Sequence, residues 1–224
     1  MLALALPPGP LKLLCLGAHA DDIEIGCGGT MLHLLAEHPG SACHWLVLSG
    51  AGTGREAEAR DGAGRFLAAA AERTVSVGRL RDGHFPVALT ALKELLEGVR
   101  QGFTPDVVFT HYRDDRHQDH RTVSDVTWQT FRDQLVLEYE VPKWDGDLGA
   151  PSCFVALPEP VRRRKIEHLL AAFPSQREKR WFTEETFAAL TRLRGIECGA
   201  ASGHAEAFYA RKLLVGGATR AGRS

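Results

Sequence analysis

The chain has 224 residues, of which 44% are hydrophobic and 25% are charged. These are ordinary globular values, so they exclude a chain that is disordered, collagen-like or coiled-coil throughout, and the length predicts one domain. Lys and Arg number 27 against 28 Asp and Glu, so a nucleic-acid partner held mainly by charge is not expected. No apolar run approaches the roughly 18 residues that cross a bilayer, so no membrane span is expected.

Short apolar runs alternate with helical patterns over the first 135 residues. Strands are predicted at residues 11–17, 44–49, 74–77 and 106–110. Helices are predicted within residues 26–40 and at 55–73, 90–100 and 118–135. Strands that alternate with helices of this length favour βαβ units and a parallel sheet, and therefore the α/β class.

The rhythm changes beyond residue 135. A strand is predicted at 154–157, helices at 159–173 and 183–193, and a last element at 205–214. No internal repeat or long linker marks a second domain. We therefore expect an N-terminal extension at 1–10, one domain at 11–214 and a flexible, Gly-rich tail at 215–224.

The five cysteines lack the close spacing of a disulfide framework or of a four-thiolate zinc site. We interpret them as reduced, small apolar residues, which favours a reducing compartment. The apolar start of the chain ends early, at Pro7, and no basic residue precedes it, unlike a secretory signal peptide. The expected location is therefore cytoplasmic.

Three groups that can bind a metal or move a proton follow the first predicted strand: His19, Asp21 and Asp22. In an open α/β sheet, ligands bind beyond the carboxyl ends of the strands, where this cluster falls. A histidine with a carboxylate suits zinc, and the alternation of side chains after a strand leaves one aspartate free. The alternative is that the aspartates only cap the following helix.

The glycines in residues 26–29 (GCGG) have two interpretations. The dinucleotide fingerprint also contains three glycines, but it opens a helix directly after a strand, whereas these glycines come later and the third is misplaced. We favour a structural role, in which glycine permits a tight turn and close packing. A nucleotide-binding protein is the alternative from a different functional class.

A second cluster follows the fourth predicted strand, in a segment too polar for a core, residues 111–121 (HYRDDRHQDHR). Its candidate ligands and catalytic groups are His117, Asp119 and His120. Both clusters follow strands of one sheet, so they can converge. His19, Asp22 and His120 would then supply three zinc ligands and leave a fourth position for water. The alternatives are a solvated loop and a metallo-β-lactamase site, whose H-x-H-x-D-H pattern is incomplete here.

These segments together resemble the motifs of one family. Residues 19–30 (HADDIEIGCGGT) are similar to the AHPDD…GxGGT signature of the PIG-L/LmbE-like zinc de-N-acetylases, and residues 117–120 (HQDH) to their later HxDH motif. An R-x-x-E helix that starts at Arg55, a D-G turn at Asp82 and a late AEAF segment at 205–208 are also similar.

The resemblance covers about residues 11–214 and implies a Rossmann-like single domain, a mostly parallel sheet flanked by helices. It implies removal of an N-acetyl group from a small N-acetylglucosamine-type conjugate by an enzyme with one Zn²⁺ per chain, although another divalent metal is an alternative. The implied metal ligands are His19, Asp22 and His120. The main departure is Ala20, where the family usually has proline; it removes no ligand.

The resemblance also implies three catalytic roles. Asp21 would be the general base, and a protonated His117 would stabilise the developing oxyanion. Asp119 would orient His117 and favour its positive charge. The products would be acetate and a free amine.

Residues of the substrate wall are harder to assign. In the segment 138–150, Tyr139 and Trp144 could stack on a sugar, although an ordinary surface loop is nearly as good an interpretation. Arg55, Ser175 and Gln176 are the further candidates. Another metal-dependent amide or ester hydrolase with the same site is the closest alternative activity, and the oligomeric state, a homo-oligomer included, stays open.

Overall fold

A computed structural model describes residues 3–214. Residues 1 and 2 and the predicted tail at 215–224 lie outside the described residues. Residues 3–11 contain no helix or strand and lead into the first strand. Over residues 3–214, no helix has both the length and the apolar character needed to cross a membrane.

The described residues form seven strands and six α-helices. The strands are β1 (Lys12–Gly17), β2 (Ala42–Ser49), β3 (Glu72–Leu80), β4 (Val107–His111), β5 (Leu135–Tyr139), β6 (Cys153–Ala156) and β7 (Ala205–Ala210). The helices are α1 (Asp22–Glu37), α2 (Gly54–Phe66), α3 (Leu89–Gly102), α4 (Gln118–Thr130), α5 (Glu159–Ala172) and α6 (Glu184–Cys198). Two 3₁₀ turns lie at Phe85–Ala88 and Pro174–Gln176.

All seven strands belong to one sheet, in the order β3–β2–β1–β4–β5–β7–β6. β1 to β5 run parallel, while β7 runs antiparallel to both β5 and β6. From β1 the chain adds β2 and then β3 on one side of the sheet, and β4 then lies on the other side of β1. The predicted Rossmann-like, single-domain α/β fold is confirmed, and the strand order reverses between β1 and β4.

The sheet is covered by helices on both faces, because alternate strand residues are apolar on each face. Leu13 and Cys15 of β1 pack in the layer that contains α1, α2, α5 and α6. Leu14 and Leu16 pack in the layer that contains α3 and α4. Both core layers are therefore continuous with β1, whose carboxyl end is held rigidly.

The glycines of α1 allow close packing. A Cβ at Gly26 would lie 2.1 Å from the ring of Tyr139, and one at Gly28 would lie 2.5 Å from the ring of Phe66. Both distances are far below van der Waals contact. The predicted close packing of these glycines is confirmed, but the predicted tight turn is not, because they lie inside a helix. Their burial in that helix also leaves no phosphate cradle for the nucleotide-binding alternative.

Several predicted boundaries were wrong. α1 begins at Asp22, ahead of the predicted start, and its N-cap residue, Asp21, makes no side-chain capping hydrogen bond. α2 ends at Phe66, and β3 begins before its predicted start. The predicted helix at 118–135 ends at Thr130, and its last residue belongs instead to an unpredicted strand, β5.

Candidate metal and catalytic site

The two predicted clusters meet at the carboxyl edge of the sheet. β1 ends at Gly17 and β4 at His111, and these parallel strands are direct neighbours. The reversal of strand order between them opens a crevice, which is the usual ligand position in open α/β sheets. Because only residues 18–21 separate β1 from α1, these two elements fix the first cluster, and the start of α4 fixes the second.

Donor atoms of three residues lie close together in the crevice. His19 Nδ1 lies 3.3 Å from His120 Nε2 and 3.4 Å from Asp22 Oδ2. His120 Nε2 lies 3.5 Å from Asp22 Oδ1. Tetrahedral zinc with bonds of about 2.0–2.1 Å separates its ligand atoms by roughly 3.3 Å. The pairwise distances within the predicted ligand set therefore suit a metal site. The groups of side chains that could hold an ion overlap here: one combines His19 with His117 and His120, and another combines Asp22 with His111 and His120.

Each of the two histidines offers its second ring nitrogen to a buried carboxylate. His19 Nε2 lies 3.1 Å from Asp119 Oδ2, and His120 Nδ1 lies 2.9 Å from Asp115 Oδ2. Metal-binding histidines usually donate their other N–H in this way, which fixes the tautomer and turns the lone pair toward the metal. The carboxylates hold both rings on the side away from the shared donor atoms. This orientation is stronger support for a metal site than the donor spacing alone.

The predicted contact between Asp119 and His117 was wrong. The Asp119 carboxylate accepts the backbone N–H groups of Gly83 (2.6 Å) and Phe85 (3.0 Å) as well as His19. Only the backbone N–H of Asp119 reaches His117, donating to Nδ1 at 3.2 Å. His117 is the N-cap of α4, so its geometry is set by the helix start.

That bond also contradicts the predicted charge of His117. An Nδ1 atom that accepts a hydrogen bond carries no proton, so the ring is neutral and its hydrogen is on Nε2. Burial lowers the pKa of His117, and the nearby charges of His120 and His19 lower it further. In this arrangement the His117 ring is a neutral imidazole whose Nε2 can donate a hydrogen bond, not an imidazolium.

His111, at the end of β4, is a site residue that the sequence analysis missed. Its ring stacks on His120 with centroids 3.9 Å apart, and its Nε2 lies 3.3 Å from Asp22 Oδ2. Nε2 also accepts the backbone N–H of Ala18 at 2.9 Å, which occupies the lone pair that a metal would need. His111 therefore packs behind Asp22 and His120 and does not compete with His19 as a ligand.

Asp21 occupies a strained backbone position beside the donors. Its φ is 96°, and it is the one non-glycine residue among the described residues with positive φ. Such conformations cost about 1–3 kcal/mol and cluster at functional sites. Burial, reinforced by the charge of Asp22, raises the pKa of Asp21 to about 7, while Arg55 opposes the rise. A divalent cation at the neighbouring donors would lower this pKa again.

Arg55 clamps Asp21 instead of forming a free substrate arm. Its Nη2 donates to Asp21 Oδ2 at 2.9 Å and also to the carbonyl of Ala20. Its Nη1 donates to Glu58 and to Ser175 Oγ, at 2.9 Å for the latter. The R-x-x-E pair thus orients Asp21, and Ser175 supports this pair because its hydroxyl donates to Glu58 at 2.7 Å.

A cleft of about 390 Å³ opens over these groups. Three predicted wall residues line it: Arg55, Trp144, whose surface is 72% exposed, and the buried Gln176. Ser175 is not among the lining residues. The prediction for Tyr139 was wrong, because its ring is fully buried and its hydroxyl donates to the carbonyl of Leu16 at 2.7 Å.

The cleft contains residues that the sequence analysis did not single out as ligand contacts. They are Asp82, Val141, Lys143, Asp145, Lys179 and Trp181. Asp115 was also missed as a support of His120, although an acidic residue shortly before a histidine motif was a usable signal. The others come from loops without periodic patterns, so their position depends on the tertiary fold.

The fold is shared with solved structures of low sequence identity. A conserved protein from Thermus thermophilus is 24% identical, with a TM-score of 0.73 over 94% of this chain and 100% of that one. The N,N′-diacetylchitobiose deacetylase from Pyrococcus horikoshii is 18% identical, with a TM-score of 0.65 over 88% of this chain and 82% of the other. The 4-carboxy-2-hydroxymuconate hydratase from Pseudomonas putida is 17% identical, with a TM-score of 0.72 over 93% and 99%.

At these identities the likeness establishes the fold alone, and that fold serves both a deacetylase and a hydratase. A comparison with curated proteins finds no significant sequence match. The family described as GlcNAc-PI de-N-acetylase (PIG-L) matches residues 14–131, which is more than half of the chain and includes both histidine motifs. The chain belongs to the PIG-L family, the family of the GlcNAc-PI de-N-acetylases.

Proposed function

We propose that this protein is a metal-dependent N-deacetylase that hydrolyses the acetamide of an N-acetylglucosamine-type conjugate. The observation that carries the proposal is the pair of histidines that share one point with Asp22 while each is oriented by a buried carboxylate. The family match supports the reaction class. The sugar and its attached group come from the family resemblance.

His19, Asp22 and His120 would hold the metal. A bound Zn²⁺, or another divalent ion, supplies Lewis acidity that polarises a carbonyl and acidifies a water molecule. Two neutral imidazoles and one carboxylate suit Zn²⁺, which accepts nitrogen and oxygen ligands. Three carboxylates contact His19. Burial lowers the pKa of the His19 ring, but hydrogen bonds to Asp119, Asp22 and Asp82 raise that pKa well above the usual value.

Asp21 is the candidate general base. Its carboxylate lies beside the donor set in the cleft, and one oxygen is fixed by Arg55 at 2.9 Å. The other oxygen can accept a proton from the attacking water as the C–O bond forms. After this transfer, Asp21 is a carboxylic acid beside the departing nitrogen. It can return the proton as the C–N bond breaks, which gives acetate and a free amine.

His117 is the candidate donor to the developing oxyanion. Its Nδ1 accepts the Asp119 backbone N–H, so Nε2 carries the hydrogen. No intramolecular hydrogen bond to Nε2 occurs over residues 3–214, and the ring lines the cleft. An N–H that is already in place stabilises negative charge on the carbonyl oxygen more strongly in the transition state than in the substrate.

The cleft is the proposed sugar site. Trp144 can present an aromatic face to a pyranose ring, and Gln176 can hydrogen-bond its hydroxyl groups. The cytoplasmic location and the oligomeric state stay predictions. A different metal-dependent amide or ester hydrolase remains the alternative that the site geometry permits.

Acetate release tests the proposal. Purified protein would be incubated with N-acetylglucosamine and a panel of its conjugates, and loss of the acetyl group would be followed by mass spectrometry. We expect acetate and free amine, loss of turnover after chelation, and recovery after a divalent metal is restored. A metal-loaded protein that deacetylates no member of the panel would overturn the proposal.

A further inference from the structure

One wall of the cleft comes from the segment between β5 and β6, whose residues 142–148 are here called the wall loop. The wall loop contains no helix or strand. Its large apolar side chains, Trp144 and Leu148, are 72% and 44% exposed, whereas the side chains of Lys143 and Asp147 are only 9% and 6% exposed. Folded chains usually bury apolar groups and expose charged ones. Charged groups therefore hold the wall loop in place, and Trp144 is left to face the cleft.

One arginine and one tyrosine fix the two flanks of the wall loop. Arg194, in α6, donates to both carboxylate oxygens of Glu140 at 2.9 and 2.6 Å and to the carbonyl of Gly149 at 3.1 Å. The Tyr209 hydroxyl donates to Glu140 Oε1 at 3.0 Å and accepts the Gly149 N–H at 3.0 Å. The flanks are thus fixed to each other, and the position of the middle depends on other contacts.

Lys143 docks the middle of the wall loop onto the segment before α4. Its Nζ lies 2.9 Å from Asp115 Oδ2 and 2.5 Å from Asp147 Oδ2. Asp147 Oδ2 also accepts the backbone N–H of Arg116 at 2.7 Å. One buried ammonium group therefore bridges two buried carboxylates that belong to different loops.

The bridge ends on the carboxylate that orients a proposed metal ligand. Asp115 Oδ2 lies 2.9 Å from His120 Nδ1, and Asp115 Oδ1 accepts the backbone N–H of His117 at 2.7 Å. The same carboxylate thus contacts the His120 ring, the start of α4 and, through Lys143, the wall loop. The place of Trp144 relative to the metal-binding donors is therefore set by the ammonium group of Lys143.

Removal of this ammonium group would leave two carboxylates facing each other. The side chains of Asp115 and Asp147 are 3% and 6% exposed, so water screens their repulsion poorly. Asp115 would keep His120 and the His117 N–H as partners, whereas Asp147 would keep the backbone N–H of Arg116. The wall loop is therefore the part that would move.

We infer that Lys143 is a positioning residue for the substrate, because it holds the wall loop, and with it Trp144, at a fixed place relative to the proposed metal site. Lys143 lines the cleft, but its ammonium group is turned toward the two carboxylates. Its effect on a bound sugar is exerted through Trp144. The inference rests on the proposed function for the sugar that Trp144 would contact.

Fluorine NMR tests the position of Trp144 without depending on turnover. 5-Fluorotryptophan would replace the four tryptophans, and Trp144→Phe would assign the Trp144 resonance. Lys143→Met keeps a side chain of similar length but removes the charge, so the Trp144 resonance should shift or broaden. The matched control is Lys93→Met, in an ion pair with Glu97 of α3, which should leave the resonance unchanged. An unchanged Trp144 resonance in a folded Lys143→Met protein would overturn the inference.

A second substitution separates the charge bridge from a general loss of packing. Asp147→Asn, added to Lys143→Met, removes the repulsion from Asp115 and supplies an amide that can donate to that carboxylate. The Trp144 resonance should therefore return toward its wild-type position, and a resonance that does not return contradicts the bridge. If Lys143→Met alone does not fold, a folded paired variant supports the bridge, and failure of both variants to fold contradicts it.

Kinetics test whether Lys143 acts through Trp144. With metal in excess, Lys143→Met and Trp144→Ala should each raise KM about three- to tenfold, as loss of one aromatic contact typically does, and leave kcat nearly unchanged. The double variant should have nearly the KM of Trp144→Ala, because no aromatic side chain is left to position. Fully additive effects on KM would contradict the inference. A displaced Trp144 resonance in a protein that releases no acetate from any conjugate would support the role of Lys143 while counting against the deacetylase.

Discussion

Asp21 and Asp22 are adjacent in the chain, but their carboxylates face different groups. Asp22 lies within 3.5 Å of both His19 and His120, while Asp21 is held by Arg55. Their surroundings also shift the pKa values of the two carboxyl groups in opposite directions. Burial would raise the pKa of Asp22, but His120 and His111 bring it well below the usual value. The surroundings of the two aspartates therefore account for the different functions proposed for them.

Amide substitutions separate the two functions. Asp21→Asn keeps the shape but cannot accept a proton, so it should retain metal and lose about 10²–10⁴-fold in turnover. Asp22→Asn replaces an anionic ligand with a neutral one, so it should lose metal first. Metal content and acetate release would be measured on both variants. If excess zinc rescued Asp21→Asn and not Asp22→Asn, the assigned roles would be exchanged.

The carboxylate behind His120 should control metal affinity. Asp115 is buried and accepts from His120 Nδ1, and Lys143 Nζ holds the same carboxylate at 2.9 Å. Asp115→Asn should weaken metal binding by roughly 10–100-fold, as loss of such outer partners typically does. Its matched control is Asp114→Asn, an exposed aspartate of the same loop. Competition with a metal-sensitive chelator gives the affinities, and equal values for the two variants would contradict the role of Asp115.

At the scale of elements, a buried ion pair supports the middle of α1. Glu206, in β7, accepts the backbone N–H groups of Gly29 (2.8 Å) and Thr30 (2.6 Å). Lys165, in α5, donates to the carbonyl of Ile25 (2.6 Å) and to Glu206 (2.5 Å). In a regular helix the amide of residue 29 would donate to the carbonyl of residue 25. Here Glu206 accepts from the first of these two groups and Lys165 donates to the second. The late AEAF segment thus positions the helix whose first turn carries Asp22.

Removal of this charge should destabilise the fold. Glu206→Gln leaves Lys165 buried without its counter-ion, which should lower the free energy of unfolding by about 3–5 kcal/mol. Glu97→Gln, in a solvent-accessible ion pair with Lys93, is the control and should change the free energy of unfolding far less. Urea denaturation measures both. A Glu206→Gln protein as stable as the control would show that the pair does not support α1.

Sequence periodicity predicted the central strands well, because β1, β2 and β4 are buried apolar runs. It missed β5 because Phe131 and Leu135 continue the helical spacing of α4 across the junction, although the backbone turns between them. The start of α1 was also missed. Its first residue is Asp22, a polar site residue whose burial depends on groups about 100 positions away.

At the scale of the whole molecule, strand order creates the site. His19 and His120 are separated by 101 residues, and they meet because β1 and β4 are neighbours where the strand order reverses. The sequence could place each cluster after a strand, and the family resemblance could name ligands. It could not show that Asp119 orients His19 or that His111 lies behind Asp22, since these contacts depend on how the two loops pack.

The metal content of wild-type protein and of His120→Ala, purified in parallel, tests the central claim most directly. Removal of one imidazole leaves two of the three proposed protein ligands. Because the site lies at the sheet edge, the variant should stay folded, and circular dichroism can verify its secondary structure. Elemental analysis should find about one divalent metal ion per wild-type chain and a small fraction of that in the variant. Equal metal content in two folded proteins would contradict the assignment of this site.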